Sequence, residues 1–156
     1  MANTYTQLCV HVVFCVQNRL SLLRLPWREE VYQYITGLVT HRGQKLLAIN
    51  GVGDHVHAAL GIKPTLVLSD LIRDLKGISS SLINERRWVR GVFRWQEGFG
   101  AFSFGQRDLD RVVHYIMTQE EHHRKRTFRE EYLGLLKEFG VQYEERYLFD
   151  WIDRPA

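Results

Sequence analysis

The sequence has little cysteine, which limits the cross-links that it can form. Only two of its 156 residues are cysteines, and Cys9 and Cys15 lie six positions apart in one strand-like segment. Six strand residues span about 20 Å, which is too far for a disulfide between them. We therefore expect both to be small buried side chains of a protein in a reducing, cytoplasmic compartment.

Long apolar runs and leader-like patterns are also missing. No segment approaches the roughly 20 apolar residues that cross a bilayer, so no membrane partner is expected. The first residues show no basic stretch followed by an apolar one, and we predict no signal peptide. With three prolines and no repeats or low-complexity segments, the chain predicts one compact unit that is long enough to bury a substantial core.

The hydrophobic pattern predicts strands alternating with helices. Runs rich in β-branched and aromatic residues predict strands, and apolar residues three and four positions apart predict helices. Predicted strands span 5–16, 45–52, 55–62 and 101–104, with 92–95 also extended. Predicted helices span 27–41, about 68–86, about 107–126 and about 128–139. This order is the split β-α-β plan. We therefore predict an α+β fold, ferredoxin-like or RRM-like, in which an antiparallel sheet carries helices on one face and a C-terminal helical extension follows.

Two histidines one residue apart, His55 and His57, lie on the third predicted strand. Residues i and i+2 of a strand point to the same face, so both imidazoles face the same way. The chain has 7 His, and this spacing arises by chance roughly 0.3 times in such a chain. The pair alone therefore does not separate a metal site from ordinary hydrogen-bonded positions.

Tyr115 and Gln119 lie four residues apart in the predicted helix 107–126. This spacing places both side chains on one helix face, where they are expected to point outward together. Two imidazoles and an amide oxygen can hold a divalent metal beside a tyrosine hydroxyl, an arrangement that suggests phosphodiester chemistry. The alternative is that Tyr115 is a core aromatic and Gln119 a surface residue. His122 and His123 follow closely enough to reach the same metal, or to form a basic helix end.

Local basic clusters favour a nucleic-acid partner more than the net charge of +3 does. Cations interleave with Trp88 and Trp95, which suits the phosphates and exposed bases of a single strand. The alternative is a solvated basic face. The candidate DNA contacts are Arg73, Lys76, Arg86, Arg87 and Arg124.

Several spaced segments together resemble one known family. They are 10–14, 53–57, 75–80, 83–84, 93–96, 100–103, 114–119, 121–123 and 143–150. The combination resembles the HUH superfamily of single-strand DNA endonucleases, and most closely the TnpA-type single-tyrosine transposases of the smallest bacterial insertion sequences and their REP-associated relatives. The chain departs from the family at Gly53, where a proline is frequent, and at Thr118, where an asparagine is usual.

The resemblance implies specific roles. His55, His57 and Gln119 would bind Mg²⁺ or Mn²⁺, and Tyr115 would attack a phosphorus atom to give a 5′-phosphotyrosine and a free 3′-OH. Residues 1–126 would form the HUH transposase domain, with its tyrosine helix at about 107–126, and residues 127–156 a helical and extended tail packed on that domain. The expected substrate is single-stranded DNA at hairpin-containing element ends, bound by a homodimer with composite active sites.

Two other functions stay open at this stage. A domesticated REP-type nickase would cut repetitive hairpins for its host. A non-catalytic RRM-like module would bind single strands without cleaving them, although such modules place aromatics on their central strands and no run of that kind is present.

Overall fold

A computed structural model describes residues 3–17, 23 and 27–149. Four strands and five helices follow one another in this part of the chain. They are β1 (Cys9–Cys15), α1 (Trp27–His41), β2 (Lys45–Val52), β3 (His55–Gly61), α2 (Leu68–Arg86), β4 (Gly100–Phe104), α3 (Leu109–Met117), α4 (Gln119–His123) and α5 (Phe128–Glu138). Short 3₁₀ turns occur at Gln106–Asp108 and Glu145–Tyr147.

The strands form one antiparallel sheet in the order β2-β3-β1-β4. This order places the two histidines on a central strand, between β1 and β2. The predicted α+β class and the split β-α-β plan are confirmed. The extended segment predicted at 92–95 joins the sheet through one bridge between Val16 and Trp95.

Alternation along the strands gives the sheet two chemically different faces. In β3, Val56, Ala58 and Leu60 point to one face, whereas His55 and His57 point to the other. All five side chains are buried. We call these the aliphatic face and the histidine face.

Helices α1 and α2 cover the aliphatic face. Their apolar stripes recur at helical spacing and pack against the strand residues of that face. The cluster includes Val12, Phe14, Val56, Leu60, Val31, Ile35, Leu71 and Leu75. This is the main hydrophobic core.

The C-terminal helices cover the histidine face. Thr127 caps α5 by accepting a hydrogen bond from the backbone N–H of Glu130, which fixes where the helix begins. Phe128, Tyr132 and Leu135 of α5 then pack against Val13 and Phe102 of the sheet. Helix α5 therefore lies against the same sheet, whereas residues 140–147 are exposed. Residues 150–156 of the predicted tail fall outside the described part.

The long helix predicted at about 107–126 is divided, and this prediction was wrong. Helix α3 ends at Met117 and α4 begins at Gln119. At the break, the amide of Asn50 on β2 donates hydrogen bonds to the carbonyls of Ile116 (3.1 Å) and Met117 (3.2 Å). These bonds satisfy carbonyls that the interrupted helix leaves without partners, and they fasten the tyrosine helix to the sheet.

Both cysteines are buried, and they form no disulfide with each other. Within the described ranges, no helix combines the length and apolar character that a membrane span requires.

Candidate metal and tyrosine site

The two histidines of β3 form the floor of the site. Both have 0% of their surface exposed, and their ring centroids lie 5.1 Å apart. Both Nε2 atoms face the same buried carboxylate, that of Glu131 on α5. The prediction that both imidazoles share a face is met at this position.

Each imidazole is oriented by a partner on its other nitrogen. His55 Nδ1 lies 2.7 Å from Asp54 Oδ1, and His57 Nδ1 lies 2.8 Å from His11 Nε2. Phe128 stacks on the ring of His55 at 4.0 Å. Outer partners of this kind fix ring orientation in metal sites and leave the opposite nitrogen to face the ion.

Glu131 is the residue that sequence reasoning missed. Its Oε1 lies 2.9 Å from His57 Nε2, 3.4 Å from His55 Nε2 and 3.3 Å from His123 Nε2. A signal for it was present, because Glu131 occupies a position within the apolar stripe of α5 formed by Phe128, Tyr132 and Leu135. A carboxylate at such a position is stable when buried only if polar groups form hydrogen bonds or ion pairs with it.

These groups have the chemistry of a divalent metal site. One donor atom each from His55, His57 and Glu131 lies within 4.8 Å of the others. Imidazole nitrogens and a carboxylate oxygen together suit a first-row divalent ion such as Mn²⁺. The donor set therefore fits the divalent metal that the sequence led us to expect.

Gln119 is buried at the start of α4. Its Oε1 lies 3.4 Å from His55 Nε2, and its Nε2 donates to the carbonyl of Tyr115 at 3.3 Å. The amide is thus beside the His pair, where the sequence led us to expect a ligand. The expected outward orientation was wrong, since Gln119 points toward the sheet.

Tyr115 is half-buried on α3 and lies over the site. Its ring centroid is 5.9 Å from that of His57 and 6.0 Å from that of His11. Its hydroxyl donates to Glu131 Oε2 and accepts from Arg126 Nη2 at 3.1 Å. A cavity of about 280 Å³ borders the tyrosine and Glu131. The hydroxyl is thereby held next to the histidines of its own chain.

The two neighbouring histidines contact different parts of the site. His123 reaches the cluster through Glu131 and packs at 4.5 Å from the ring of His55. His122 instead lies against Tyr115 at 4.7 Å, with Nε2 3.2 Å from Thr118 Oγ1.

Burial and mutual charge shift the titration of these groups. Burial lowers the pKa of His55, but hydrogen bonds and charge from Asp54 and Glu131 outweigh it and raise that pKa to about 9. Burial lowers the pKa of His57 more than Glu131 raises it. Burial raises the pKa of Glu131, yet His57, His123 and His55 together hold it well below its usual range. Glu131 is therefore ionised beside a protonated His55.

The tyrosine hydroxyl is held in its neutral form. Burial, the charge of Glu131 and the hydrogen bond to it all raise the pKa of Tyr115, and the charge of Arg126 opposes them. The hydroxyl therefore keeps its proton until a reaction removes it.

The candidate DNA contacts divide between the two faces. Arg73, Lys76 and Arg86 belong to α2, and Arg87 is its C-cap, so these four lie over the aliphatic face. Lys76 Nζ is 2.8 Å from the carbonyl of Gln96, and Arg73 pairs with Asp70 and Asp74 at 3.4 Å. Neither Trp is a free stacking platform, because Trp88 stacks on Trp27 and Trp95 packs on Phe14.

Arg124 lies on the other side of the sheet, at the rim of the site. It lines a groove of about 650 Å³ together with His123, Lys125 and Arg126. The structure therefore places one of the five candidate cations on the side of the sheet that carries the tyrosine and four on the other side.

Comparisons with known proteins identify the family of this chain. The family described as "Transposase IS200 like" matches residues 4–119. The ISDra2 transposase TnpA of Deinococcus radiodurans is 21% identical over 122 residues, which cover 74% of this chain and 86% of that protein. Among solved structures, a putative transposase from Deinococcus radiodurans R1 has a TM-score of 0.61 at 21% identity, covering 76% of this chain and 95% of that one. A REP-associated tyrosine transposase bound to a REP hairpin has a TM-score of 0.56 at 17% identity, covering 74% of this chain and 68% of that one. The matched segment includes both histidines, Tyr115 and Gln119, and this chain belongs to the family of IS200-like transposases.

Proposed function

We propose that this protein is a metal-dependent transposase that cleaves and rejoins single-stranded DNA through a 5′-phosphotyrosine intermediate on Tyr115. One observation carries the proposal. The tyrosine hydroxyl and the Nε2 atoms of His55 and His57 meet at opposite oxygens of one buried carboxylate. A nucleophile and a metal-ligand set are thereby adjacent in a member of a transposase family.

The metal ligands of the proposal are His55, His57 and Gln119, and the ion is Mg²⁺ or Mn²⁺. When bound, such an ion supplies positive charge that polarises a phosphate oxygen and stabilises the leaving oxygen. Asp54 and His11 keep the two imidazoles turned toward it. Because only neutral imidazole is a ligand, such an ion would compete with protons for His55, whose pKa Asp54 and Glu131 raise.

Tyr115 carries the covalent step. Its Oη attacks the phosphorus, the bond from phosphorus to the 3′ oxygen breaks, and the tyrosine loses its proton while the leaving oxygen gains one. The product is a 5′-phosphotyrosine and a free 3′-OH. Rejoining reverses these changes with a 3′-OH as nucleophile, and no ATP is needed because one phosphodiester replaces another. Arg126, which donates to the tyrosine oxygen, stabilises negative charge there as the proton leaves.

The proposed substrate is single-stranded DNA from hairpin-containing element ends. Arg124, Lys125 and Arg126 line one groove, and Arg126 also contacts the tyrosine hydroxyl. This groove supplies cations for the phosphates of the strand. The REP-associated relative binds a REP hairpin, which supports a hairpin substrate here. A homodimer with composite sites stays a prediction, and the contact between Tyr115 and Glu131 within one chain supports a tyrosine that serves its own histidines.

A covalent adduct is the direct test. End-labelled single-stranded element ends are incubated with the protein and Mn²⁺, and the label is followed on a denaturing protein gel. We expect an adduct with the wild-type protein that is abolished in Tyr115→Phe and by EDTA. Tyr147→Phe, the same change at a tyrosine that is 74% exposed, is the matched control and should form the adduct normally.

Two results would contradict the proposal. An adduct that persists in Tyr115→Phe would assign the nucleophile elsewhere. Tight single-strand binding that ignores EDTA, with no adduct under any condition, would instead indicate a non-catalytic binding module.

A further inference from the structure

We propose that Glu131 is a direct protein ligand of the metal through Oε1 and positions the Tyr115 hydroxyl through Oε2. The inference rests on the proposed function, since it gives a role to a residue at the same site. Glu131 lies beyond residues 4–119, which the family matches. It makes α5 part of the reaction centre as well as part of the fold.

Burial is the first argument. Glu131 is 1% exposed, whereas the neighbouring Glu130 is on the surface. Removing a carboxylate from water is costly unless strong partners replace the water. The side chains that bind Glu131 are all groups at the site: His55, His57, His123 and Tyr115. An apolar residue would fill the same space in the stripe of α5 without that cost, so the carboxylate has a role in the site.

The distances provide the second argument. Glu131 Oε1 lies 2.9 Å from His57 Nε2 and 3.4 Å from His55 Nε2. Adjacent ligands of an octahedral ion with bonds of about 2.1 Å are about 3.0 Å apart. Glu131 Oε1 is therefore close to ligand spacing from each histidine nitrogen, and the three donor atoms lie within 4.8 Å of one another. Both imidazoles already present the correct nitrogen, because their Nδ1 atoms are held by Asp54 and His11.

The second oxygen supplies the link to the nucleophile. Tyr115 donates its hydroxyl hydrogen to Oε2 of the same carboxylate. A charged acceptor makes this a strong hydrogen bond. The distance between the tyrosine and the ion is then set by one rigid carboxyl group, which keeps the nucleophile oriented before the substrate arrives.

Glu131 and Gln119 are expected to differ in importance. Gln119 Oε1 contacts only His55 among the two β3 imidazoles, at 3.4 Å, and it is neutral. A carboxylate is the stronger ligand for Mg²⁺ or Mn²⁺ because it carries charge. We therefore expect loss of the Glu131 charge to weaken metal binding more than loss of the Gln119 amide.

Mn²⁺ titrations on the full chain test this ranking. Free Mn²⁺ is measured by electron paramagnetic resonance for wild type, Glu131→Gln, Gln119→Ala and Glu130→Gln. We expect at least about tenfold weaker binding for Glu131→Gln, a smaller loss for Gln119→Ala and no change for Glu130→Gln. The last variant removes the same charge one residue away. In Glu131→Gln before any metal is added, the Tyr115 Cζ carbon signal should also move from its wild-type position, as an altered acceptor requires.

Glu131→Asp tests the same role if Glu131→Gln does not fold. If circular dichroism shows that Glu131→Gln is unfolded, Glu131→Asp retains the charge and withdraws the carboxylate, and it should bind Mn²⁺ more weakly with the fold intact. In the wild-type protein, substoichiometric Mn²⁺ should broaden the side-chain carboxyl carbon signal of Glu131 and spare that of Glu130. Absence of this broadening would overturn the inference without any variant.

The outcomes separate the inference from the proposed function. Wild-type adduct formation together with unchanged or tighter Mn²⁺ binding by Glu131→Gln would overturn the role of Glu131 and leave the transposase proposal standing. Mn²⁺ binding that depends on Glu131, with no adduct on Tyr115, would support the ligand and overturn the proposed chemistry.

Discussion

The two faces of the sheet are built from the same strands but have different roles. On β3, Val56, Ala58 and Leu60 enter an apolar core beneath α1 and α2. His55 and His57 alternate with these residues along the strand, and they enter a polar cluster beneath the C-terminal helices. Both sets are fully or almost fully buried, so burial alone does not tell them apart.

The difference shows how a small domain can use one face of a sheet for folding stability and the other face for chemistry. Apolar burial on the aliphatic face contributes about 25 cal/mol per Å² and requires no specific partner. On the histidine face, each buried polar group must find its partner, and it finds one in Asp54, His11, Glu131 or Gln119. We therefore expect substitutions on the first face to change unfolding and those on the second to change metal binding.

The largest effect is expected for His57→Ala. It removes one ligand and leaves the carboxylate of Glu131 without its nearest nitrogen, at 2.9 Å. Loss of outer partners alone weakens metal sites about 10–100-fold, so loss of a ligand should weaken Mn²⁺ binding by about 100-fold or more. Adduct formation should fall below detection.

Thermal unfolding with and without Mn²⁺ measures this loss. An ion at a concentration of 100 Kd stabilises the folded protein by about 2.7 kcal/mol, and the wild-type protein should show such a gain. His57→Ala should show none at the same concentration. A full Mn²⁺-dependent gain in this variant would place the metal elsewhere.

Leu60→Ala is expected to have a smaller effect, and to lower the stability of the fold without changing Mn²⁺ binding. Leu60 is completely buried on the aliphatic face, three residues from His57. Truncating such a residue leaves a cavity and should cost about 2–5 kcal/mol in the free energy of unfolding. Mn²⁺ affinity should stay at the wild-type value, because no ligand or ligand partner is touched.

Urea denaturation and Mn²⁺ titration of the same sample check both parts. Ile72→Val, a milder truncation of a buried residue on the same face, should cost about 0.5–1.5 kcal/mol and serves if Leu60→Ala is too unstable. A fall in Mn²⁺ affinity that tracks the lost stability would mean that the two faces are energetically coupled.

Most of the fold was predictable from sequence because it depends on local periodicity. The bounds of α1 and β2 agree with the prediction, and α2 agrees with its approximate predicted bounds. The apolar residues of these elements recur regularly, and turn-forming glycines separate them. The division of the tyrosine helix was not predictable, because its cause is a hydrogen bond from Asn50 to Ile116, 66 residues later. Long-range side-chain hydrogen bonds leave no local pattern.

The site was predictable only in part, for a related reason. His55, His57, Tyr115 and Gln119 were identified by their spacing and by a family resemblance, and their assigned roles remain predictions. Glu131 lies 74 residues after His57 and looks like any acidic residue of an amphipathic helix. Its position inside the apolar stripe of α5 is visible in the sequence, but only the packed structure gives that position a partner.

The smallest predicted effect concerns the surface that DNA contacts. Arg124 lines the same groove as Arg126, which contacts the tyrosine hydroxyl. Arg73 instead lies on α2 over the aliphatic face and pairs with Asp70 and Asp74. Removing one phosphate-binding cation from a single-strand complex lowers the slope of log K against log salt by about 0.7. Arg124→Gln should therefore weaken single-strand binding about fivefold at 0.1 M salt and reduce the slope by that amount.

Arg73→Gln is the matched substitution on the other face. It should leave both the affinity and the slope nearly unchanged, because the charge of Arg73 is already compensated on the protein. Fluorescence anisotropy of a labelled strand across a salt series measures both quantities. Equal losses of affinity in the two variants would mean that the DNA strand runs from the histidine face around the sheet to α2. The two faces would then differ in their buried residues but not in their contact with DNA.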